Sequence, residues 1–290
     1  LLCLVAAFAA AAPDGREGES QPAARVVSLN PSLSLILVGL GAGDRLVGID
    51  AASGRLAPEL AGVRSVGGLF DPSLETVVAL EPDIVVLVPS VEQQRFRDRL
   101  DELGVPTRAF RNIRFEEVLA NIRDLGALVG RRGAADAVVD RIVRTRSAVE
   151  QAVAEREAVS CVVVLQRDPV FLVGIGTFLD EMLASAGCRN LARTLGDGYP
   201  RASLEWLVGA APDVILDMSL DAAGGAGARD YWSRWPTLPA VEHDRVLHVD
   251  AQLVTMPGPE LDRALRTLAR ALHGEALDAA IAARLAEPRP

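Results

Sequence analysis

Short, unbroken apolar runs alternate with longer amphipathic segments along most of the 290-residue chain. Residues 25–29, 46–49, 84–87 and 107–110 read as strands, and residues 32–40, 73–80 and 93–103 as the helices between them. The strand-like runs are apolar throughout rather than at alternate positions, which is the pattern of a parallel sheet covered on both faces. From residue 115 to about 159 there is no Pro, and Val138, Val139, Ile142, Val149 and Val153 recur at helical spacings with charges between them. That predicts a long amphipathic helix, broken or kinked near Gly130 and Gly133. The strand pattern restarts at Cys161-Val162-Val163-Val164-Leu165. Residues 177–186 read as a helix ending at Gly187, 246–249 as the last strand, and 259–273 as a closing helix with Pro259 near its first turn and Gly274 at its end. The Gly/Ala segment 221–228 carries no helical pattern and reads as a loop. The expected fold is α/β: two Rossmann-like lobes with parallel sheets, residues 23–125 and 159–290, joined by one long interlobe helix at 126–158.

One unit occurs twice. Ser73-Leu74-Glu75 is followed, seven residues after the Glu, by Pro82-Asp83 and the run Ile84-Val85-Val86-Leu87. Ser203-Leu204-Glu205 is followed at the same distance by Pro212-Asp213 and Val214-Ile215-Leu216. The copies lie 130 residues apart, which is domain spacing rather than solenoid spacing. Ser73 and Ser203 suit N-caps, placing Glu75 and Glu205 in a first helical turn, where the dipole stabilises a carboxylate by roughly 0.3–1 kcal/mol. That accounts for either Glu alone. Their recurrence at one offset reflects either duplication or a shared role.

Composition narrows the classes. The 30 basic residues are all Arg, and the net charge is −9. This balance argues against nucleic acid as a partner and leaves room for a protein with a basic face. Residues 1–12 are apolar and Ala-rich, and Pro13-Asp14-Gly15 opens a polar stretch. Residues 1–22 therefore look like the apolar region and cleavage zone of a secretory signal, too short to span a bilayer, which takes ~20 apolar residues. Leu1-Leu2 before Cys3 do not suit a lipobox. The expected location is the periplasm, with the signal removed. Cys161 and Cys188 can pair in an exported protein or remain two buried thiols.

Signals for an enzyme are poor. His273 ends the closing helix, where a cation suits the dipole. His243 and His248, with Asp244 and Asp250, read as a surface turn rather than a metal cluster. Gly174-Ile175-Gly176 lacks the third glycine and the downstream acid of a dinucleotide site, and no Gly-x-Ser-x-Gly elbow occurs. No catalytic residue, resident cofactor or bound metal is expected.

Three further segments carry a resemblance. They are the run from Arg25 through Asn30-Pro31-Ser32-Leu33, Gly41-Ala42-Gly43-Asp44-Arg45-Leu46-Val47-Gly48, and Val66-Gly67-Gly68-Leu69-Phe70-Asp71-Pro72-Ser73-Leu74-Glu75. With Gly176-Thr177-Phe178-Leu179-Asp180, Ala186-Gly187-Cys188-Arg189-Asn190 and Pro257-Gly258-Pro259, they resemble in order and spacing the cobalamin/iron-siderophore class of ABC-transporter substrate-binding proteins, above all its vitamin B12-binding members. The resemblance implies two α/β lobes joined by a helix, a ligand held in the cleft, and an acidic residue on each lobe that docks on Arg residues of a dimeric permease. Glu75 and Glu205 match those docking positions.

In open α/β sheets ligands sit beyond the carboxyl ends of the strands. That rule collects Asn30, Pro31, Ser32, Phe171 and the loop leading to Met256, and the loops before the two docking helices add Phe70 and Tyr199. The resemblance implies that Phe171 and Tyr199 match aromatics that pack a corrin. Ala51, Leu69 and Val88 stand where the B12-binding members tend to carry aromatics. Met256 and Glu260 stand where many relatives carry Arg, which disfavours an anionic siderophore. The expected cargo is a corrinoid of the cobalamin type, with haem or a ferric siderophore as alternatives, and Tyr199 as a haem-iron ligand in the haem case. The expected carrier is a monomer that meets an ABC permease dimer. An alternative of another class is an exported α/β enzyme using the interlobe cleft.

Overall fold

A computed structural model describes residues 22–219 and 224–287. The signal-like segment, apart from Pro22, and Asp221–Ala223 of the Gly/Ala segment lie outside the described residues. The first sheet contains β1 (Val26–Ser28), β2 (Leu46–Ile49), β3 (Arg64–Ser65), β4 (Ile84–Leu87) and β5 (Thr107–Ala109). All its pairings are parallel, in the order β3-β2-β1-β4-β5. Within β1, Val26 and Val27 are both fully buried but belong to different apolar clusters. The sheet is therefore covered on both faces, as its unbroken apolar runs predict.

The second sheet contains β6 (Val159–Arg167), β7 (Val170–Leu172), β8 (Cys188–Asn190), β9 (Val214–Asp217) and β10 (Val246–His248). Here the expectation of parallel strands needs correction. β8, β9 and β10 run parallel to their neighbours, but β7 returns antiparallel along β6. The cause is local: only Asp168-Pro169 separates β6 from β7, a connection too short for a parallel crossover. Cys161 and Cys188 lie on the paired strands β6 and β8, their Cα atoms 6.0 Å apart, and form a disulfide.

The long helical stretch from residue 115 breaks near Gly130, as the sequence predicts, and the linking helix proper begins at Arg132. Phe115–Leu128 and Arg132–Val153 are separate helices. Gly130 turns between them at φ +69°. A Cβ on Gly126 would meet the Ala135 Cβ at 2.4 Å, so the absent side chain lets the two helices cross closely. The 22-residue helix Arg132–Val153 follows the first sheet and precedes the second. Its Val139, Ile142 and Val149 belong to one apolar cluster that also holds Leu37 of the first lobe and Met182 and Leu268 of the second.

Two further differences come from tertiary burial overriding local pattern. Gly224–Trp232 is a helix rather than a loop, with Ala228 and Trp232 fully buried at i, i+4. His273, at the end of helix Leu261–His273, is not a helix-end cation: burial pushes its pKa below 6.5, and its Nε2 lies 2.9 Å from the Ala186 carbonyl oxygen.

Candidate functional site

The first predicted group lies at the carboxyl end of β1. Asn30 has extended backbone and caps helix Pro31–Gly39, accepting from the Ser32 N–H at 3.0 Å and the Ser32 hydroxyl at 2.7 Å. Asn112 donates to the same hydroxyl at 3.3 Å. Beneath this cap runs a buried chain of hydroxyls: the Ser53 and Ser34 oxygens lie 2.8 Å apart, as do those of Ser34 and Ser28, and the Ser53 hydroxyl donates to Asp50. Pro31 and Ser32 are buried, so this group forms a braced wall.

Phe70 projects from the turn before helix Leu74–Ala79 and is 66% exposed. Gln93, a residue the sequence reading left on an ordinary helix, braces that turn. Its amide donates to the carbonyls of Leu29 and Leu69, both at 3.1 Å. The signal was the spacing Ser90-x-x-Gln93, which resembles a capping box, although here the Gln side chain reaches across to other segments.

Phe171 and Tyr199 lie on neighbouring backbone segments. Residues 198–202 run antiparallel beside β7: Leu172 donates to Pro200 O at 3.0 Å, Ala202 to Val170 O at 3.0 Å, and Gly174 to Gly198 O at 2.8 Å. These bonds flank the Phe171–Arg201 bridge. The alternation of an antiparallel pair then puts Phe171, Arg201 and Tyr199 on one face, with Phe171 and Tyr199 as diagonal neighbours. Tyr199 is half exposed, yet burial of its phenol raises the pKa above 10.0, so the group is protonated at neutral pH. Arg201 was not singled out in the sequence. Its only signal was its place between Tyr199 and the cap Ser203.

Met256 lies elsewhere. It ends helix Ala251–Thr255 and lines a crevice of about 420 Å3 between the two lobes, with Leu56 and Pro58 on one side and Leu253 and Pro259 on the other. The same junction is tight at Gly39, where a Cβ would meet Pro259 at 2.8 Å.

A second junction joins helices Phe115–Leu128, Arg132–Val153 and Phe178–Ser185. The Phe115 N–H donates to Glu181 Oε2 at 2.9 Å, Arg114 pairs with Glu181, and the Phe178 N–H donates to Ile113 O at 2.5 Å. Arg146 donates to Ser185 at 3.0 Å and Glu150 at 2.9 Å, reaches Glu116 at 3.2 Å, and stacks on Phe115 at 4.6 Å.

Glu75 and Glu205 are exposed at the second position of helices Leu74–Ala79 and Leu204–Ala210. Ser73 accepts from the Thr76 N–H at 3.2 Å and Ser203 from the Trp206 N–H at 3.1 Å. Exposure matches position for position from Ser73 to Leu80 and from Ser203 to Ala210, and each unit then turns through a left-handed residue, Glu81 at φ +44° or Ala211 at φ +47°. Hydrogen bonds from its own backbone N–H and from Ser203 lower the Glu205 pKa, so this carboxylate is ionised at neutral pH.

Among the described residues no group of three or more His, Cys, Asp and Glu is placed to hold a metal ion. The turn containing His243 and Asp244 carries a surface pair, Asp244 with Arg229 at 3.7 Å.

The sequence profile of the family described as periplasmic binding protein matches residues 26–253. An uncharacterised ABC-transporter substrate-binding lipoprotein of Bacillus subtilis, YvrC, is 28% identical over 261 residues, 86% of this chain and 80% of its own. A cobalamin-binding protein of Halobacterium salinarum is 28% identical over 265 residues, 88% of this chain and 70% of its own. The crystal structure of a periplasmic heme binding protein from Pseudomonas aeruginosa superposes with a TM-score of 0.72 at 27% identity, covering 87% of this chain and 93% of that one.

Proposed function

Because the chain belongs to the periplasmic binding protein family, we propose that it captures a corrinoid outside the cytoplasm and presents it to an ABC importer. The family and its relatives are substrate-binding transport proteins, so the enzyme alternative is set aside. No described helix is long and apolar enough to cross a membrane. Export by cleavage of residues 1–22 and a monomeric carrier belong to the same proposal.

The observation that carries the corrinoid reading is the shared face of Phe171 and Tyr199. A corrin presents a broad apolar ring, and two aromatic side chains on a hydrogen-bonded strand pair offer it a flat partner with little rotamer freedom to lose. The name of the Halobacterium salinarum relative supports the same cargo. A second reading, haem, draws on Arg201, which suits a carboxylate, and on the heme-binding structural neighbour. Iron ligation by Tyr199 needs a phenolate, and the raised pKa opposes that form.

Glu75 and Glu205 are the proposed contacts to the permease. They are exposed and lie on equivalent helices of separate lobes. Two such points suit a partner made of two like subunits.

The test is titration of the purified chain with cyanocobalamin, haemin and a panel of ferrisiderophores, following Trp fluorescence and ligand absorbance. Saturable tight binding of cyanocobalamin supports the reading. Tight binding of haemin alone, with a shifted Soret band, replaces it with the second.

A further inference from the structure

We infer that each docking helix carries an apolar contact for the permease beside its carboxylate, formed by Val78 on the first lobe and Val208 on the second. This rests on the docking reading of Glu75 and Glu205 and adds to it the chemistry of the partner: a cationic group bordered by apolar side chains, presented twice.

Val78 and Val208 are 36% and 39% exposed. Each lies three residues after its Glu, one turn along the same helix face. A lone exposed Val is ordinary on any protein surface. The repeat makes these two informative. Between the copies Thr76 is replaced by Trp206, Ala79 by Gly209 and Leu80 by Ala210, while positions 75 and 78 keep Glu and Val. Val77 and Leu207 already supply the buried apolar contact of each helix, both with no exposed surface, and the second Val lies outside the apolar cluster that each joins. Ala79 and Gly209, next along and exposed, leave nothing overhanging the patch.

The pairing of Glu with Val has a physical use. An exposed ion pair contributes little because water screens it. Apolar groups that close around the pair exclude that water and strengthen the same contact. The acidic chain, with its net charge of −9, attracts a cationic face over distance, and the valines act only on contact.

The test uses the full chain with both valines replaced by the isosteric threonine, Val78→Thr and Val208→Thr, beside a second pair, Glu75→Gln and Glu205→Gln. Binding to the cognate importer in lipid nanodiscs is measured across salt concentrations, and cyanocobalamin affinity and Tm are measured in parallel. The threonine pair is expected to bind the importer roughly 5- to 30-fold more weakly. Its salt dependence, cyanocobalamin affinity and Tm are expected to match wild type. The glutamine pair is expected to bind more weakly and to lose most of its salt dependence. Unchanged importer binding by the threonine pair, with weakened binding by the glutamine pair, overturns this inference and leaves the docking reading intact. Wild-type binding by both pairs overturns the docking reading and this inference with it.

Discussion

Asp83 and Asp213 hold their lobes together in the same way. Asp83 Oδ2 accepts from the Ala24 N–H at 2.8 Å and the Arg25 N–H at 2.9 Å, just before β1. Asp213 accepts from the Ser160 hydroxyl at 2.5 Å, and its own N–H donates back to that oxygen at 3.0 Å, near the start of β6. The acid of each repeated Pro-Asp therefore ties the segment entering β4 or β9 to the start of its central parallel neighbour. Helices Leu74–Ala79 and Leu204–Ala210 end a few residues before these ties, so their place on each lobe is fixed through the sheet.

Replacing Asp213 with Ala removes the bond from the Ser160 hydroxyl to the carboxylate, while the backbone N–H at 213 can still donate to that oxygen, and the expected loss is roughly 1 kcal/mol. Asp83→Ala removes two bonds from backbone N–H groups and should cost a similar amount, since both residues are exposed and their carboxylates screened. The two losses should add, since the sites lie in separate lobes. Urea unfolding of the single and double variants measures this. A double variant much less stable than the sum of the singles would show that the two ties are coupled through the interlobe core.

The repeat, the α/β alternation and most strand positions were legible because buried parallel strands are apolar at every position. β7 was not legible, since three residues after a two-residue turn carry no pattern of their own. Nor was the helix Gly224–Trp232, whose formation depends on a buried pocket for Trp232 rather than on local propensity. At the candidate site, Phe171 and Tyr199 could be named from their places in the chain. Their common face depends on the pairing of residues 198–202 with β7, a long-range register that no local pattern encodes. Arg201 and Gln93 were missed for the same reason: each acquires its role from a partner distant in sequence.

Tyr199→Ala should weaken cyanocobalamin binding by about 2 kcal/mol, near 30-fold, if the aromatic face is the anchor. Tyr199→Phe should bind nearly as wild type, because a corrin packs on the ring. With haem as cargo the ranking changes: Tyr199→Phe removes the iron ligand and abolishes the phenolate-to-iron absorption band. Equal titrations of cyanocobalamin by wild type and Tyr199→Ala would exclude this face from the site.

The lobes should close little on binding. One apolar cluster runs through both, and Arg146 and Glu181 tie helices Phe115–Leu128, Arg132–Val153 and Phe178–Ser185 to one another. X-ray scattering of the free and cyanocobalamin-bound chain is expected to give radii of gyration within about 1 Å. Arg146→Met with Glu181→Gln should loosen the junction and create a ligand-dependent change that wild type lacks. A change of several ångströms in wild type would mean that the joint hinges despite these contacts.

Asp217 gives an acid-stability prediction. It ends β9 with no exposed surface, accepting from Arg167 Nε at 2.9 Å, Trp232 Nε1 at 2.6 Å, the Ser219 hydroxyl at 2.6 Å and the Ser219 N–H at 3.0 Å. Burial alone would raise its pKa. The bonds from Arg167, Ser219 and Trp232 outweigh it, and the folded pKa lies below 3.8. Because the folded value is depressed, the unfolded chain binds the proton more tightly. The stabilisation is therefore fully present above the unfolded pKa and lost as pH falls through the folded one. Asp217→Asn should cost roughly 2–3 kcal/mol at neutral pH, since a charged acceptor for four donors becomes a neutral one. The variant should also unfold with a shallower dependence on acid, by up to one proton, between about pH 5 and pH 2. Urea midpoints followed by far-UV circular dichroism across that range measure the slope. Parallel slopes in wild type and Asp217→Asn would show that the carboxyl titrates alike in the folded and unfolded chains, and that its four donors do not favour the ionised form.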